Sequence, residues 1–596
     1  MKFLNHLPFI VLLASLAFLS VWGAGVFPSS VCIATAAMCV AAAVTQASAG
    51  RRIPVSAAVA VGLILLVLLS ALPLPGRTDS VTGKLRRRQN DRVRAALAEA
   101  RQTGVIPAGS APCFSHSRNR SGSLRIGLLA GLALCAAVVA ARLGARARDA
   151  YLRFLVGLLV LMSVMGFLHQ WIRPAEKTIW WVFDFPHGSP VGCFVNRTHH
   201  AGFIALVCPV ALALFVRSVN GRRPFAAGLY AIAFAVMAAG ILSSLARGAI
   251  LATGAGVLAV IVVTARRKQW LASLWVCALV CFFAVGSMSA LLMTRHSSVS
   301  KSVVTRLSSL AHPTRTFSGR ARLTVWRDSL RVWRDYPLTG AGPNGFRAVF
   351  PLYRTRADRQ DFVTPENEYV ELLTDGGVVG LLAAALLAGL LVTHWRHGTA
   401  GRLLPDEVSL AVAGSAAVAA VHNGVDVPMH TPLYAMTFAS LVGMVFPAPG
   451  TADTPFLGGP AMPARVRAAL LLLAGAIVGI SCLAAGTEPY RSDLQDSVVA
   501  ADAEELSRAL VRSPTSWAAW YHFGLSAFRT DNRVAYIFGE KCMTRATECD
   551  PKNYRLWEAL GHVRVSMGYD KEAREAFERM HELRPWKRPP RIRRQW

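Results

Sequence analysis

The chain has 596 residues, of which 53% are hydrophobic and only 16% are charged, and its mean hydropathy is +0.40. Soluble globular proteins carry about 25% charged residues, so the composition disfavours that class. The net charge of +30 is also found among nucleic-acid-binding proteins, but here apolar stretches interrupt the basic residues. Composition and charge together predict a membrane protein, with the lipid bilayer and no nucleic acid as its partner.

The eleven cysteines form no Cys-x-x-Cys pair and no Cys/His zinc spacing. Seven of them lie in apolar segments, where a cysteine packs as a small apolar residue. The sequence therefore predicts no metal site and no cofactor.

Thirteen apolar runs are long enough to cross a hydrocarbon core of about 30 Å. They lie at 4–25, 28–48, 53–74, 124–142, 152–170, 201–217, 225–243, 248–264, 270–293, 376–393, 407–427, 432–447 and 465–486. The predicted fold is an all-α, polytopic helical membrane protein with about 13 transmembrane helices. Because further spans follow it directly, the first run is expected to be an uncleaved helix and not a secretory signal.

Arginine and lysine concentrate in alternate short connections between these runs. The positive-inside rule then predicts a cytoplasmic N-terminus. With that orientation, the outward-facing segments are 75–123, 171–200, 244–247, 294–375 and the tail from 487 onward. The basic residues Lys84 and Arg86 to Arg88 in the first of these segments run against the rule, which governs long loops poorly.

The tail differs from the rest of the chain in being charged and in containing a repeat. Prolines recur at intervals of about 35 residues, with a Trp-x-x-x-Gly unit in the same register between them: Pro514, Trp520, Gly524, Pro551, Trp557, Gly561 and Pro585. This pattern resembles the tetratricopeptide repeat, in which helical pairs stack and offer a concave surface. The domain is expected either to bind a protein partner or to pack as a rigid cap on the membrane domain.

The outer loop 294–375 carries the polar motifs of the chain, namely Ser318-Gly319-Arg320, a Pro-Leu-Thr-Gly-Ala-Gly turn at 337–342, and Glu366-Asn367-Glu368-Tyr369 ahead of a Gly-x-x-Gly helix. Further polar stretches lie at 196–202, 243–248 and 423–426. In their order and topology these motifs resemble the O-antigen ligase and polymerase superfamily over about residues 190 to 445. The resemblance divides the chain into an N-terminal transmembrane region (1–190), a ligase-like core (191–447), a linker with the last span (448–490) and a tetratricopeptide-like domain (491–596).

The resemblance implies glycan transfer at the outer face of a bacterial inner membrane, from a polyprenyl-pyrophosphate donor to a hydroxyl acceptor. The pyrophosphate that leaves needs charge neutralisation, which guanidinium groups supply through bidentate hydrogen bonds. The family pattern assigns this role to Arg247 and Arg320. The alternatives are an interfacial arginine that snorkels, for Arg247, and a solvated surface charge, for Arg320.

The acceptor hydroxyl also needs a base within about 3 Å. Ligase-like members have a histidine before the asparagine of the helix-opening motif, and Glu366 stands at that position here. Its alternative is an acid of the first helical turn, with Thr364 as N-cap and Pro365 at the first helical position. Asn367 and Tyr369 are expected to orient the base or the acceptor, or else to cap and anchor the helix.

Three residues around the 196–202 stretch are candidates for the donor side: Asn196, Arg197 and His200. His199 and His200 are adjacent, so in a helix they point about 100° apart and do not share a metal ion. Asp426 lies near the end of an apolar run, where it is expected either to form a salt bridge with one of the arginines or to take part in catalysis.

Several functions remain open at this point. A ligase moves a finished chain once, whereas a polymerase of the same superfamily adds chains repeatedly and gives laddered products. The acceptor is a lipid, another glycan or a protein group. The rival class is a transporter or a scaffold that recruits partners through the tail. Phosphate-binding loops and serine-hydrolase or zinc-peptidase motifs are absent from the sequence.

Overall fold

The computed structural model describes residues 2–21, 34–35, 37–39, 41–42, 81–107, 120–172, 178–179, 183–184, 190–293, 317–356, 362–400, 405–445, 503–530 and 532–585. The fold of this part of the chain is helical, as predicted, apart from a short antiparallel pairing of Thr178–Ile179 with Phe183–Asp184. The helices are α1 (Lys2–Val21), α2 (Val81–Gln102), α3 (Arg120–Ala141), α4 (Ala145–Ile172), α5 (Arg197–Asn220), α6 (Pro224–Ser244), α7 (Arg247–Arg266), α8 (Trp270–Met293), α9 (Phe317–Asp335), α10 (Phe346–Val349), α11 (Glu368–Ala400), α12 (Asp406–Asn423), α13 (Pro432–Gly443), α14 (Ala503–Arg512), α15 (Trp517–Ala527), α16 (Arg533–Cys549), α17 (Tyr554–Ser566) and α18 (Asp570–Leu583). Two 3₁₀ turns, at Phe350–Leu352 and Pro428–His430, complete the set.

Six of the described helices are long and apolar enough to cross a membrane: Gly122–Ala141, Ala145–His169, Arg197–Asn220, Pro224–Ser244, Arg247–Arg266 and Glu368–His397. Shorter apolar helices cover Leu7–Ser20, Trp270–Gly286 and Pro432–Gly443. The chain is thus a multi-pass membrane protein, but the predicted number of thirteen spans is not reproduced. The runs predicted at 53–74 and 465–486 lie outside the described residues, as does most of 28–48.

Helix α5 lies at the centre of the bundle, since 89% of its 18-residue apolar stretch is buried. Small residues let α7 and α12 approach it closely. A Cβ at Gly202 would lie 2.0 Å from the His422 ring, and one at Gly414 would lie 2.3 Å from Pro209. The Ser415 hydroxyl of α12 donates to a backbone carbonyl of α5 at 2.7 Å. The bundle is held by close backbone approach, as is usual where lipid removes the hydrophobic drive between helices.

One end of the bundle is held by ion pairs between helix termini. Arg217, at the end of α5, pairs with Asp149 of α4 and, at 3.2 Å, with Glu407 of α12. Arg267, after α7, pairs with Asp406. Two of the basic connections that the charge pattern assigns to the cytoplasm, those around Arg217 and Arg267, therefore lie at this end.

The segments 75–123 and 294–375 and the tail contact one another at the opposite end. Ser123 donates to the carbonyl of Pro343 at 2.8 Å, and Lys541 of α16 pairs with Glu99 of α2 at 2.6 Å. Parts of the chain that touch must lie on the same side of a membrane. These contacts agree with the predicted topology, in which all three share one face.

The described part of the tail, 503–530 and 532–585, contains five helices, α14 to α18. The repeat read from the sequence has a structural counterpart. The Trp520 indole donates to the carbonyl of Pro514 and the Trp557 indole to that of Pro551, each at 3.0 Å. The glycine four residues after each tryptophan leaves no space for a Cβ. The two units are thus built alike, while their assignment as tetratricopeptide repeats stays a prediction.

The tail packs against the chain's own outer segments. Val93 and Leu97 of α2 are buried in one hydrophobic cluster with Leu510 and Phe523 of the tail. Helix α2 lies in the 75–123 segment, which the sequence analysis describes as a long loop. The sequence analysis therefore did not predict that this segment forms part of the core of the tail. These contacts are those of the cap alternative, and a protein partner for the tail stays a prediction.

Candidate active site

Two motifs that lie far apart in the sequence interlock through their backbones. The 337–342 turn runs along the kink that Gly377 makes in α11, where Gly342 N–H donates to the carbonyl of Asp375 at 3.0 Å. Gly340 and Gly377 both have positive φ, at +63° and +61°. A Cβ at Gly377 would lie 2.3 Å from the carbonyl oxygen of Leu338. Only glycine combines this conformation with this contact, which explains the two glycine motifs.

Asn367 and Tyr369 fix the start of α11 to the end of α12. The Asn367 side-chain oxygen accepts hydrogen bonds from the N–H groups of Tyr369 and Val370, at 3.0 and 3.1 Å. Its amide nitrogen donates to the carbonyl of Gly424 at 2.8 Å. The Tyr369 hydroxyl donates to the carbonyl of Ala420, also at 2.8 Å. The structure thus gives both residues capping and anchoring contacts, which was the second of the two predicted roles.

Glu366 is not a residue of the first helical turn. Helix α11 begins at Glu368 with Asn367 as its cap, so the predicted start with Thr364 as N-cap and Pro365 at the first position is wrong. Glu366 lies before the cap with a φ of +52°. A non-glycine residue in this conformation is uncommon and costs energy, so the surrounding contacts must hold it there.

The guanidinium of Arg322 holds the Glu366 side chain. Its Nε and one terminal nitrogen both donate to Oε2 of Glu366, each at 2.6 Å. Helix α9 is fixed to the same turn because the Trp326 indole donates to the carbonyl of Pro365 at 2.9 Å. Arg320 is two residues earlier on α9, about 200° around the helix, and is exposed. The sequence pattern selects Arg320, whereas the structure brings Arg322 to the carboxylate.

Asp426 pairs with two histidines and not, as predicted, with an arginine. The distance from its Oδ1 to His199 Nε2 is 3.5 Å, and that from its Oδ2 to His422 Nε2 is 3.8 Å. Its Oδ1 also accepts the N–H of Val427 at 2.8 Å. The aspartate is buried and His199 is 21% exposed. Such a carboxylate orients an imidazole whose edge reaches the surface.

Arg247 and Glu366 lie at the same end of the bundle as this histidine pair. Arg247 is the first residue of α7, and a Cβ on the next residue, Gly248, would lie 3.5 Å from the His422 ring. His199 is close enough to Glu366 to sense its charge. The resulting group, which we call the His199 cluster, consists of His199, Arg322, Glu366, His422 and Asp426.

The donor-side candidates on α5 occupy different positions. Asn196 caps the helix by accepting the N–H of the second residue after it, at 3.0 Å, and Arg197 is the first helical residue. His200 is buried, and a Cβ at Gly166 of α4 would lie 2.4 Å from its ring. The two adjacent histidines point apart, as predicted, and His199 rather than His200 joins the cluster. The sequence analysis did not select His199.

A second polar group lies one turn further along α11. Ligand atoms of Glu368, Glu371 and His430 lie within 4.8 Å of one another and form a candidate metal site. Burial, followed by the positive charge of Arg125, lowers the pKa of His430 to about 4. The acids stand three residues apart, a signal present in the sequence, but His430 is 59 positions after Glu371 and had no visible link to them.

The geometry therefore brings the 337–342 turn, the kinked helix α11 and the His199 cluster together at one end of the bundle. Residues 232–385 match the family model of the O-antigen ligases. The match supports the O-antigen ligase superfamily and indicates a glycosyltransferase-like role in polysaccharide biosynthesis. It covers Arg247, Arg320 and Glu366, whereas the α5 residues and Asp426 lie outside it. No curated protein matches the chain.

Proposed function

We propose that the protein is a glycosyltransferase of a bacterial inner membrane, which moves a glycan from a polyprenyl-pyrophosphate donor to a hydroxyl acceptor on the periplasmic face. The observation that carries the proposal is the joining of Glu366, Arg322 and the His199–Asp426 pair beside the start of α7. A base, an orienting acid and cations at one membrane face are what glycan transfer from a lipid carrier requires. The transfer step itself is proposed to need no metal ion and no cofactor.

Arg247 is proposed to bind the donor pyrophosphate. Helix α7 begins at this residue, so the positive end of the helix dipole and the guanidinium favour an anion at the same place. Arg320 is proposed as a second cation that approaches from the exposed face of α9, and Arg197, Asn196 and His200 as contributors on the α5 side. For His200 the burial described above makes this contribution indirect, through packing.

Glu366 is proposed to take the proton of the acceptor hydroxyl. Both hydrogen bonds from Arg322 go to Oε2, and Oε1 is proposed as the oxygen that accepts the proton. The second candidate base is His199, because Asp426 faces its Nε2 from 3.5 Å and holds the ring in place. Asn367 and Tyr369 fix the backbone on either side of Glu368 and so keep Glu366 in its strained position.

The proposed orientation rests on the distribution of charge. The basic connections around Arg217 and Arg267 lie at the end opposite to the His199 cluster. Basic connections favour the cytoplasm, which supports a periplasmic location for the cluster, for the 294–375 segment and for the C-terminal domain. A donor that has crossed the membrane carries its activation in its own pyrophosphate bond.

The test is a transfer assay in proteoliposomes that contain a polyprenyl-pyrophosphate oligosaccharide and a lipid-linked sugar acceptor. Arg247→Gln and Glu366→Gln are expected to lower the rate by about 100-fold or more, the usual cost of losing a charge-stabilising donor or a base. Arg327→Gln is the matched control, since Arg327 is an exposed arginine on α9. A large loss in His199→Gln with activity kept in Glu366→Gln would transfer the base role to His199.

The rival functions give other outcomes. If all of these variants fold normally and transfer at the wild-type rate, the site proposal is wrong. A ladder of products with regular increments would identify a polymerase instead of a ligase. Absence of transfer with every lipid, glycan or protein acceptor, together with substrate movement across the bilayer, would favour the transporter class.

A further inference from the structure

The Glu368, Glu371 and His430 side chains have the spacing of ligands around a small ion. His430 Nε2 is 3.4 Å from Glu371 Oε1 and 3.8 Å from Glu368 Oε2. With metal–ligand bonds of about 2.1 Å, neighbouring ligand atoms of a tetrahedral site lie about 3.4 Å apart. The three groups therefore need only small shifts to share one ion.

The carboxylate of Glu371 points to such an ion independently. Its side chain is 5% exposed, and within the described residues its Oε2 has no hydrogen-bond partner. A buried carboxylate oxygen without a partner is costly unless a cation or a donor satisfies it. The ring nitrogen of His430 faces both carboxylates, and an imidazole nitrogen is a common ligand of transition-metal ions.

The backbone aims the second carboxylate at the same point. Glu368 Oε1 accepts the N–H of Met429 at 3.0 Å, which turns Oε2 toward the His430 ring. The Tyr434 hydroxyl is also buried without a partner in the described part of the chain, and it lies close enough to Glu368 to sense its charge. A further polar group is thus positioned beside the site.

We infer that Glu368, Glu371 and His430 bind one divalent transition-metal ion, with Zn²⁺ and Mn²⁺ as the ions that suit an imidazole with two carboxylates. The ion joins the first turn of α11 to the 3₁₀ turn at Pro428–His430, which connects α12 and α13. Its role is to position the backbone that carries Asn367 and Glu366, and it takes no part in the transfer step. The site lies beside the His199 cluster and shares no side chain with it.

The test measures bound metal and not activity. The full-length protein in nanodiscs is treated with EDTA, incubated with Zn²⁺ or Mn²⁺, passed over a desalting column and analysed by mass spectrometry for metal content. Wild-type protein is expected to retain one ion per chain. The Glu371→Gln and His430→Gln variants are expected to bind the metal ion at least about tenfold more weakly than the wild-type protein, because each substitution removes one metal ligand.

Thermal unfolding separates a metal site from a simple ion pair. With metal present, Glu371→Gln is expected to lower the midpoint; in EDTA it is expected to leave the midpoint unchanged or raise it, because it removes a buried negative charge. Glu99→Gln, which alters an exposed pair with Lys541, is the matched control and should retain the ion. Wild-type protein that keeps no ion, or a Glu371→Gln midpoint that falls equally with and without metal, would overturn the inference. Loss of transfer activity alone bears on the proposed function and not on this site.

Discussion

The buried ion pair between Arg354 and Asp550 is expected to hold the tail domain on the membrane domain. Arg354 donates from Nε to Oδ1 and from a terminal nitrogen to Oδ2 of Asp550, both at 2.7 Å. The side chains are 6% and 0% exposed. The pair joins the segment after the 3₁₀ turn at Phe350–Leu352 to the end of α16, which are 196 residues apart in the chain.

Replacing Asp550 by Asn leaves the Arg354 charge buried without its carboxylate. Breaking a buried pair in this way costs about 3–5 kcal/mol, which shifts the docking equilibrium by about 100- to 4000-fold. Hydrogen exchange measured by mass spectrometry reads this shift directly, since exchange of docked amides follows local opening. Peptides covering 346–356 and 545–553 are expected to exchange faster by this factor, while peptides from α5 and α12 keep their rates.

Two control variants test whether the Arg354–Asp550 pair holds the tail domain. Lys541→Met removes an exposed pair with Glu99, which contributes less than about 1 kcal/mol and should accelerate exchange by less than about fivefold. The double variant Arg354→Met with Asp550→Leu replaces both charges by apolar groups and should restore most of the protection. If Asp550→Asn behaves like Lys541→Met, the pair does not hold the domain and the argument fails.

Two further substitutions test the packing of the bundle. Gly377→Ala places a Cβ 2.3 Å from the Leu338 carbonyl oxygen at a φ of +61°, so it should lower the free energy of unfolding by at least about 1–3 kcal/mol. The control Gly389→Ala lies in the same helix with open space around it, so its thermal-unfolding midpoint should stay the same or rise. Equal midpoints for the two variants would contradict the interlocked turn. Tyr151→Phe removes the hydrogen bond between α4 and Ser440 of α13 and should cost about 1 kcal/mol, seen as a small fall in the midpoint, whereas an unchanged midpoint would show that the hydroxyl contributes nothing.

The position of most helices followed from the sequence because a hydrocarbon core demands long apolar runs whatever the tertiary structure. The runs predicted at 201–217, 225–243 and 248–264 became α5, α6 and α7 with their ends shifted by only a few residues. The glycine and proline motifs could also be recognised from the sequence, because a backbone with positive φ restricts the residue type locally. The ordered motifs also pointed to the superfamily that the 232–385 match supports.

The start of α11 shows where local rules gave the wrong answer. The sequence offers two residues of N-cap type within four positions, Thr364 and Asn367, and Thr364 followed by Pro365 satisfies the usual preferences. The cap is instead Asn367, because its amide also reaches the carbonyl of Gly424, the residue directly after α12. A contact made only in the folded bundle decided between caps of similar intrinsic quality.

By itself, then, the sequence determined the helical, membrane-spanning character, and its ordered motifs pointed to the superfamily that the 232–385 match supports. Only the tertiary structure decided which side chains meet: Arg322 and not Arg320 reaches Glu366, and Asp426 faces histidines. The physical reason is that a span is a property of consecutive residues in a uniform solvent, whereas an ion pair across 44 or 196 residues depends on how helices rotate and approach. A rotation of about 100° per residue separates a site residue from its neighbour, and no local pattern records that angle.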